Sequence, residues 1–307
     1  MLDYIEYIKN NSLGEIKTNK TFKDITTLKI GGSIALLFYP STIEDFIIFY
    51  KYYLKKKNFP IVIIGNGSNI LASSDDFKGI VISFKKIVYK YSLIKNVVTV
   101  SSGVLISDLI NFLKCNNLSG LEQLYYIPAT VGGLLKMNGS AYGSAISDNL
   151  IYIKVIDEKG NIKIIKKEEL EFSYRKTNIN NNYIIIESSF YLYSKDKNII
   201  DLELKKIVKD RKNKQPLNTN NAGSTFKNPK DNFAWKLIEN AGLKGYGIND
   251  AQVSNKHSNF LINKNDCNSY EMIELINHIK TKIYQENNIK LECEWNFINF
   301  KKSVYFF

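Results

Sequence analysis

The fold is decided by the stretch Ile61-Val62-Ile63-Ile64-Gly65-Asn66-Gly67-Ser68-Asn69. Four β-branched residues in a row, directly after Pro60, predict a buried strand. The strand runs into a polar loop whose two glycines let the backbone come close to a bound group. Consecutive amides in such a loop can surround an anion, for example a diphosphate. A plain tight turn explains the loop equally simply, and the third glycine of a dinucleotide-binding Rossmann fingerprint is missing.

A helix is predicted immediately before this strand. Ser41 and Glu44 form an S-x-x-E capping box at its start, residues 43–54 are rich in apolar side chains, and Lys55, Lys56 and Lys57 follow at its negative end. Further strands are predicted at residues 80–84, 97–101, 152–157, 162–166 and 183–192, with a hairpin turn at 158–161.

A second region of small residues lies further along the chain. It consists of the segments IPATVGG at residues 127–133 and MNGSAYG at 137–143. Gly132 and Gly133 let the main chain pass close to a ligand, and Thr130, Asn138 and Ser140 offer uncharged hydrogen-bonding groups. From the residues alone, close packing of two small-residue segments is an equally good explanation.

The last third of the chain differs in composition and in its predicted elements. A charged helix over residues 201–214 leads through Gln215-Pro216 into an Asn-rich loop, followed by a helix at 233–240, a strand at 259–262, a helix at 270–286 and a closing strand at 291–298. Alternation in the closing strand puts Glu292 and Glu294 on one face, roughly 6.6 Å apart. Two carboxylates that close raise each other's pKa when they are buried. A solvent-facing edge is the ordinary alternative.

Composition limits the class of protein. The chain has 307 residues, of which 44% are hydrophobic and 23% charged, so two folded domains are expected and wholesale disorder is excluded. No apolar run approaches the ~18–20 residues of a membrane span. Asp3 and Glu6 stand where a secretory signal needs basic residues. Three cysteines and two histidines do not suggest disulfides or a metal site, and a cytoplasmic protein is expected.

The net charge of +12 raises the question of a nucleic-acid partner. Lysine is spread along the chain rather than clustered, and the densest segment, residues 205–214, is interrupted by Asp210. We interpret that segment as an exposed helix face and expect neither a nucleic-acid nor a membrane partner. An anionic small substrate is compatible with the positive field.

Together these motifs resemble the family of UDP-N-acetylenolpyruvoylglucosamine reductases, flavoenzymes that form UDP-N-acetylmuramate for bacterial peptidoglycan. The resemblance covers nearly the whole chain, and the short connection from Arg175 to Ser224 is similar to the shorter, type II-like subclass. Its blocks are TTLKIGG at 26–32, GNGSN at 65–69, IPATVGG at 127–133, MNGSAYG at 137–143, FSYR at 172–175, Arg211 with KQP at 214–216, AGSTFKNP at 222–229, KHSNF at 256–260 and LECE at 291–294.

The resemblance implies an α+β fold with two regions. Residues 1–200, with a core at about 25–195, would form an FAD-binding domain of the vanillyl-alcohol-oxidase/p-cresol-methylhydroxylase type, and residues 201–307 a C-terminal α+β substrate-binding domain. FAD is expected to be noncovalent, because neither histidine lies in the FAD region and Cys115 is expected to be a buried thiol on an amphipathic helix. The expected cofactor-binding residues are Gly65, Asn66, Gly67, Ser68, Asn69, Pro128, Thr130, Gly132, Gly133, Asn138, Tyr142 and Gly143.

The resemblance also implies catalytic roles. Arg175 and Glu294 would stabilise an enolate-like intermediate, and Ser224 would donate a proton, with NADPH as cosubstrate. The residues expected to bind substrate are Lys214, Lys227 and Asn228. His257 is left out as a structural group. Reduction of UDP-N-acetylglucosamine enolpyruvate in the cytoplasm is implied, in support of cell-wall biogenesis, cell shape and cell division.

The chain departs from the family pattern at several positions, namely Ala129, Thr177, Asn220 and Asn221 in place of Pro-Ser, Asn249 and Asp250 in place of Gly-Gly, and Trp295 with Asn296. Two other functions stay open. One is a related flavin oxidase or dehydrogenase acting on another substrate. The other is a basic nucleic-acid-binding protein with a degenerate flavin fold. We expect a monomer.

Overall fold

The computed structural model describes residues 1–87 and 91–300. Its α-helices are α1 Leu2–Asn10, α2 Phe22–Ile25, α3 Ile43–Lys56, α4 Ile106–Cys115, α5 Val131–Lys136, α6 Lys197–Lys214, α7 Ala234–Asn240 and α8 Ser269–Asn287. Its strands are β1 Gly14–Lys17, β2 Lys20–Thr21, β3 Ser33–Pro40, β4 Ile61–Ile64, β5 Ile70–Ala72, β6 Phe77–Ser83, β7 Tyr91–Ile94, β8 Val97–Ser101, β9 Leu118–Ser119, β10 Ser140–Ala141, β11 Ser144–Ala145, β12 Leu150–Ile156, β13 Ile162–Lys166, β14 Phe172–Ser173, β15 Lys176–Thr177, β16 Ile184–Tyr191, β17 Tyr193–Ser194, β18 Asn220–Ser224, β19 Gly247–Ile248, β20 Ala251–Val253, β21 Phe260–Asn263 and β22 Asn296–Ile298.

The chain forms two compact units, each built from separate segments. The first unit contains residues 1–18, 36–66 and 78–209, and the second contains residues 19–35, 67–77 and 210–307. Two short N-terminal segments therefore belong to the same unit as the C-terminal third. The single boundary expected after residue 200, as a division between a cofactor region and a substrate region, stays a prediction.

The first unit contains β4, the strand predicted at residues 61–64. Four strands are ordered β1-β3-β6-β4, with β4 parallel to β6 so that Ile61 is opposite Ile80. β4 ends the order of this sheet, which explains why only Ile64 of the strand is buried. The predicted strand is confirmed, but its burial is that of an edge strand. The core beneath the sheet is aromatic and includes Phe46 and Phe49 of α3.

The start of α3 differs from the expected capping box at Ser41 and Glu44. The N-cap is Thr42, whose hydroxyl accepts a hydrogen bond from the Asp45 N–H at 3.0 Å. Thr42 also donates to the Asp45 carboxylate at 2.8 Å. Both Ser41 and Thr42 are followed three positions later by an acid, so the sequence pattern alone does not choose between them, and the helix begins one residue later than expected.

A second sheet in the first unit is antiparallel throughout and ordered β13-β12-β16-β8-β7. Its strands coincide closely with the predictions at 97–101, 152–157, 162–166 and 183–192. The hairpin is confirmed, since Asp157 accepts the N–H groups of Lys159 and Asn161 and Gly160 has a φ of +83°. Apolar residues of α4 and α5 pack with this sheet in one core.

The second unit has an antiparallel sheet ordered β18-β21-β20-β19 and a parallel pair, β5 with β22. Helices α7 and α8 contribute Ile238, Met272, Ile276 and Ile279 to its core. α8 begins with a capping box between Asn268 and Glu271. The closing strand predicted at 291–298 is shorter, since regular pairing covers only β22 and an isolated bridge precedes it.

The cysteines are free thiols, but one expectation about them is wrong. Cys115 is exposed, because it is the last residue of α4 and lies beyond the apolar face of that amphipathic helix. Cys267 is buried, and burial raises its thiol pKa. Across residues 1–87 and 91–300, no helix has the length and apolar character needed to cross a membrane.

Candidate active site

In the first unit, Gly65 and Asn66, the two residues directly after β4, lie against the IPATVGG segment. A Cβ at Gly65 would lie only 2.5 Å from Thr130 Oγ1, a distance that real side chains do not reach. The side chain of Asn66 donates to the Pro128 carbonyl at 2.7 Å. Glycine at position 65 is therefore required by the close approach of two chain segments, the geometry that the sequence pattern suggested.

The IPATVGG segment forms the start of α5, with Thr130 as its N-cap. Its first amides are already bonded within the protein. Val131 N–H donates to the Val104 carbonyl at 2.8 Å, Gly132 N–H to the Ser102 carbonyl at 2.9 Å, and Gly133 N–H to Thr130 Oγ1 at 3.3 Å. This segment can therefore offer a ligand a close, small surface, but not free amides.

The loop after β4 presents the opposite case. Among the described residues, the backbone N–H groups of residues 66–68 donate to no acceptor. The loop is nevertheless held in place, because the Gly67 carbonyl accepts from Thr27 N–H at 3.0 Å and the Asn69 carbonyl from Asn296 N–H at 3.0 Å. Gly67 has a φ of +70°, which a larger residue rarely adopts.

These donors fit the diphosphate of FAD. Consecutive free amides in a loop with left-handed glycine geometry form an anion-binding concavity. Gly65 supplies the close approach at the first position of the loop, where a Cβ has no room. The expectation that residues 65–69 hold the cofactor stays a prediction, and residues 66–68 are its strongest part.

The MNGSAYG segment combines strain with firm anchoring. Asn138, Tyr142 and Gly143 have φ values of +44°, +51° and +83°. The Asn138 side chain donates to the Ser173 carbonyl at 3.0 Å and accepts from the Ser147 hydroxyl at 2.8 Å. Non-glycine residues in the left-handed region are uncommon and often accompany function. The assigned cofactor contacts of Asn138, Tyr142 and Gly143 stay predictions.

Arg175 occupies a two-residue turn between β14 and β15. Its φ is +55°, and its guanidinium donates to Ser140 Oγ at 2.6 Å and lies 5.2 Å from the Tyr174 ring. The structure therefore brings Arg175 to the MNGSAYG segment within the first unit. The sequence identified both motifs but did not predict that they touch.

In the second unit, Ser224 ends β18 directly after a β-bulge. The pairing passes from Asn221 opposite Ile262 to Ser224 opposite Phe260, which leaves Ala222 and Gly223 facing a single residue of β21. The left-handed Gly223, with a φ of +74°, allows the bend. Ser224 is half-buried, and within residues 1–87 and 91–300 its hydroxyl donates to no protein acceptor. Bulges next to active sites re-aim a side chain in this way.

Glu294 lies on a segment that runs antiparallel to residues 225–227. Its N–H donates to the Thr225 carbonyl at 2.8 Å, and the Lys227 N–H donates to the Glu292 carbonyl at 2.9 Å. The side chain of Asn69 donates to the Glu294 carbonyl at 3.1 Å. The structure therefore brings the Ser224 and Glu294 segments together, although about 70 residues separate them in sequence.

The cysteine between the two glutamates stays a neutral thiol. Burial raises the pKa of Cys293 to about 11. Glu292 is exposed and forms an ion pair with Lys227 at 2.5 Å, whereas Glu294 is half-buried. The two carboxylates therefore differ in environment, which agrees with choosing Glu294 over Glu292 as the candidate catalytic acid.

The expected substrate-binding residues are positioned by different contacts. Lys227 is held beside Glu292, and Asn228 accepts the Ala234 N–H at the start of α7 at 3.1 Å. Lys214 is exposed at the end of α6 and pairs with Asp210 at 2.6 Å. Their contacts with a substrate stay predictions.

Asn259 is a site residue that sequence reasoning missed. Its side chain accepts the Phe226 N–H at 2.9 Å and donates to the Phe226 carbonyl at 2.8 Å, and its own carbonyl accepts Thr225 N–H at 2.8 Å. It therefore fixes the chain just after Ser224. Asn259 lies in the KHSNF block at residues 256–260, which the family resemblance already marked. Burial lowers the His257 pKa, and its Nδ1 accepts Asn259 N–H at 3.2 Å.

Comparisons with known proteins first identify the general class of the chain. Residues 34–166 match the family model described as an FAD binding domain, which places the chain among the flavoproteins. Residues 215–298 match the model described as the C-terminal domain of UDP-N-acetylenolpyruvoylglucosamine reductase. The expected α+β fold with an FAD-binding domain and FAD as cofactor are confirmed.

Relatives narrow this class to one family. The UDP-N-acetylenolpyruvoylglucosamine reductase of Clostridium tetani is 38% identical over 300 residues, covering 96% of this chain and 97% of that protein. The reductase of Fusobacterium nucleatum is 37% identical, covering 91% and 98%. The crystal structure of the Thermus caldophilus reductase matches with a TM-score of 0.78 and 30% identity, covering 93% and 98%. The chain belongs to the UDP-N-acetylenolpyruvoylglucosamine reductase family, and the resemblance in the sequence is confirmed.

The contact between Gly65 and Thr130 gives a testable coupling. Gly65→Ala should lower the free energy of unfolding by about 1–3 kcal/mol, because the new methyl group overlaps Thr130 Oγ1. In a Thr130→Ala background the same change should cost clearly less, although loss of the N-cap itself costs about 1 kcal/mol. Denaturant unfolding of the four proteins measures the coupling, and flavin content is read in parallel. Simple additivity of the two effects would contradict the proposed contact.

The two hydrogen bonds between the Asn259 side chain and the Phe226 backbone predict that replacing Asn259 lowers stability strongly. Asn259→Ala should lower the free energy of unfolding by about 2–4 kcal/mol, because it leaves the buried N–H and carbonyl of Phe226 without partners. Denaturant unfolding measures the change. The matched control is Asn240→Ala on the exposed end of α7, expected to change stability by no more than about 0.5 kcal/mol. Equal losses of unfolding free energy in the two variants would show that the hydrogen bonds of Asn259 do not stabilise the fold in this way.

Proposed function

We propose that the chain is a flavoenzyme that uses NADPH to reduce UDP-N-acetylglucosamine enolpyruvate to UDP-N-acetylmuramate. The observation that carries the proposal is the antiparallel pairing of residues 225–227 with 292–294, which joins Ser224 and Glu294 in one unit. The family matches support the same reaction, since the relatives are named as reductases of this enolpyruvoyl sugar. Enzymes of this kind supply a precursor of peptidoglycan, and we place the chain in the cytoplasm as a monomer.

Noncovalent FAD is the cofactor of the proposal. When bound, it supplies a hydride, obtained from NADPH, to the methylene carbon of the enolpyruvyl double bond. The amides of residues 66–68 would hold its diphosphate, because they have no acceptor among the described residues. Thr130, Gly132 and Gly133 would allow its close approach, and the left-handed turn at Tyr142 and Gly143 would border it. The remaining expected contacts are Asn69, Pro128 and Asn138.

Ser224 has the role of proton donor. Its hydroxyl has no acceptor among the described residues and is half-buried, so its proton can go to the carbon adjacent to the one that receives hydride. The alkoxide left on Ser224 needs nearby positive charge or hydrogen-bond donors before it is reprotonated. A triad reading is not supported, because His257 is committed through Nδ1 to the Asn259 amide.

Arg175 and Glu294 have the role of polarising the substrate. A guanidinium grips a carboxylate by two parallel hydrogen bonds, which suits charge that builds up on the enolpyruvyl group. Arg175 has a left-handed backbone, and its guanidinium donates a hydrogen bond to Ser140. Backbone strain of this kind is often found at preorganised functional sites. Lys214, Lys227 and Asn228 would bind the anionic part of the UDP-sugar or the phosphates of NADPH.

The function is tested by following the two half-reactions of the purified protein. NADPH should bleach the flavin absorbance, and the enolpyruvyl UDP-sugar should restore it without oxygen. Ser224→Ala should leave bleaching within about two-fold of the original protein. It should slow restoration by about 10²–10⁴-fold, because the proton donor is lost. Stopped-flow absorbance under anaerobic conditions measures both steps.

Other outcomes would contradict the proposal. Equal slowing of both steps by Ser224→Ala would remove the proton-donor role. Restoration of the flavin absorbance by oxygen and not by the UDP-sugar would favour an oxidase acting on another substrate. A colourless protein that cannot be reconstituted with FAD, and that binds nucleic acid with a steep salt dependence, would favour the degenerate flavin fold.

A further inference from the structure

The segment that leads into Ser224 contains two consecutive asparagines, Asn220 and Asn221. Neither has the fixed φ of a proline, so the conformation of the segment depends on its hydrogen bonds. The segment begins after α6 with a turn at residues 216–219, in which the Thr219 hydroxyl donates to the Pro216 carbonyl at 2.7 Å. The bulge that presents Ser224 follows within two residues.

The side chain of Asn221 connects this turn to the bulge. Its Nδ2 donates to the Pro216 carbonyl at 3.1 Å, to the Thr219 carbonyl at 3.0 Å and to Thr219 Oγ1 at 3.1 Å. Its Oδ1 accepts the Gly223 N–H at 3.0 Å. One side chain therefore uses both its donor and its acceptor to fix segments on either side of itself.

The backbone of Asn221 is fixed as well. Its carbonyl accepts from the Thr27 hydroxyl at 2.6 Å, and it is paired with Ile262 of β21. Thr27 in turn donates its N–H to the Gly67 carbonyl. Asn221 is therefore the last regularly paired residue before the bulge and is held on three sides.

The chain is fixed equally firmly after Ser224. Thr225 is fully buried, its N–H and carbonyl are bonded to Asn259 and Glu294, and its Oγ1 accepts the Leu261 N–H at 3.3 Å. Between these anchors, Ala222, Gly223 and Ser224 form the bulge. Gly223 has no side chain to fix its conformation, so its orientation depends on the bond from its N–H to Asn221.

We propose that Asn221 is a positioning residue for the Ser224 hydroxyl, acting through the Gly223 N–H. The inference rests on the proposed proton-donor role of Ser224. The hydrogen bonds of the Asn221 side chain make this segment rigid. Its loss lets the glycine bulge sample other conformations, so the hydroxyl spends less time in the orientation needed for proton transfer. A displacement of about 1 Å at a reacting group can cost on the order of 100-fold in rate.

The test compares Asn221→Ala with Asn221→Ser and the control Asn220→Ala. Serine keeps an oxygen that can accept from the N–H two residues on. Asn221→Ala should slow restoration of the flavin absorbance by the enolpyruvyl UDP-sugar by about 10- to 100-fold, with bleaching by NADPH within about two-fold. In Asn221→Ser, the rate at which the UDP-sugar restores the flavin absorbance should be within about three-fold of that of the original protein. The control Asn220→Ala should restore the absorbance at the rate of the original protein. Rates are taken at saturating substrate by anaerobic stopped flow.

A purely structural role would give a different result. Loss of folding energy alone would reduce both half-reactions or the fraction of folded protein, whereas positioning affects only the step that needs the Ser224 proton. Equal slowing of both steps by Asn221→Ala, or normal restoration in this variant, would overturn the inference. If Asn221→Ala does not retain flavin, Asn221→Leu decides, because leucine keeps the branched shape of the side chain without its acceptor for the Gly223 N–H. Slowing confined to restoration supports the inference, and equal slowing of both steps or normal restoration overturns it.

Ser224→Ala, measured alongside, separates the two proposals. If it slows restoration selectively and Asn221→Ala does not, the positioning role falls and the proton-donor role stands. If Ser224→Ala shows no selective effect, the proposed function of Ser224 falls, and with it the role assigned to Asn221.

Discussion

The arrangement of the candidate site depends on one stretch of main-chain pairing. Glu294 N–H donates to the Thr225 carbonyl at 2.8 Å and Lys227 N–H donates to the Glu292 carbonyl at 2.9 Å. These bonds join two segments that lie about 70 residues apart in sequence, and burial of Thr225 protects them from competition with water. Because the pairing has a fixed register, a shift of one residue would turn Glu294 to the opposite face.

The two small-residue loops differ in which of their backbone N–H groups are already hydrogen-bonded. Both were expected to bind the cofactor, yet the first amides of α5 are already bonded to Val104, Ser102 and Thr130. Within residues 1–87 and 91–300, the N–H groups of residues 66–68 donate to no protein acceptor, so they can donate to a ligand. Glycine serves different ends in the two loops, since Gly65 avoids Thr130 while Gly67 provides a left-handed bend. The sequence alone does not show which glycine is needed for close approach and which for a left-handed backbone.

Much of the fold could be predicted from sequence because it follows local patterns. Strands β4, β8, β13 and most of β16 follow from β-branched runs, and the family motifs identified the FAD-binding class. Tertiary context decided the rest. Helix α3 begins one residue later than expected, so Thr42 rather than Ser41 is its cap, and Cys115 is exposed because its helix ends there. The roles of Asn259 and Asn221 depend on which carbonyls and amides fold next to them, and a single sequence does not specify that.

The central claim is that Ser224 and Glu294 act on one substrate because paired backbone segments hold them together. The most direct measurement is a double-mutant cycle with Ser224→Ala and Glu294→Gln, read as the rate at which the enolpyruvyl UDP-sugar restores the flavin absorbance. Groups that act as a unit have strongly non-additive effects, so the double variant should be about as slow as the slower single variant. Losses that multiply in the double variant would show that the two residues act independently and would contradict the account.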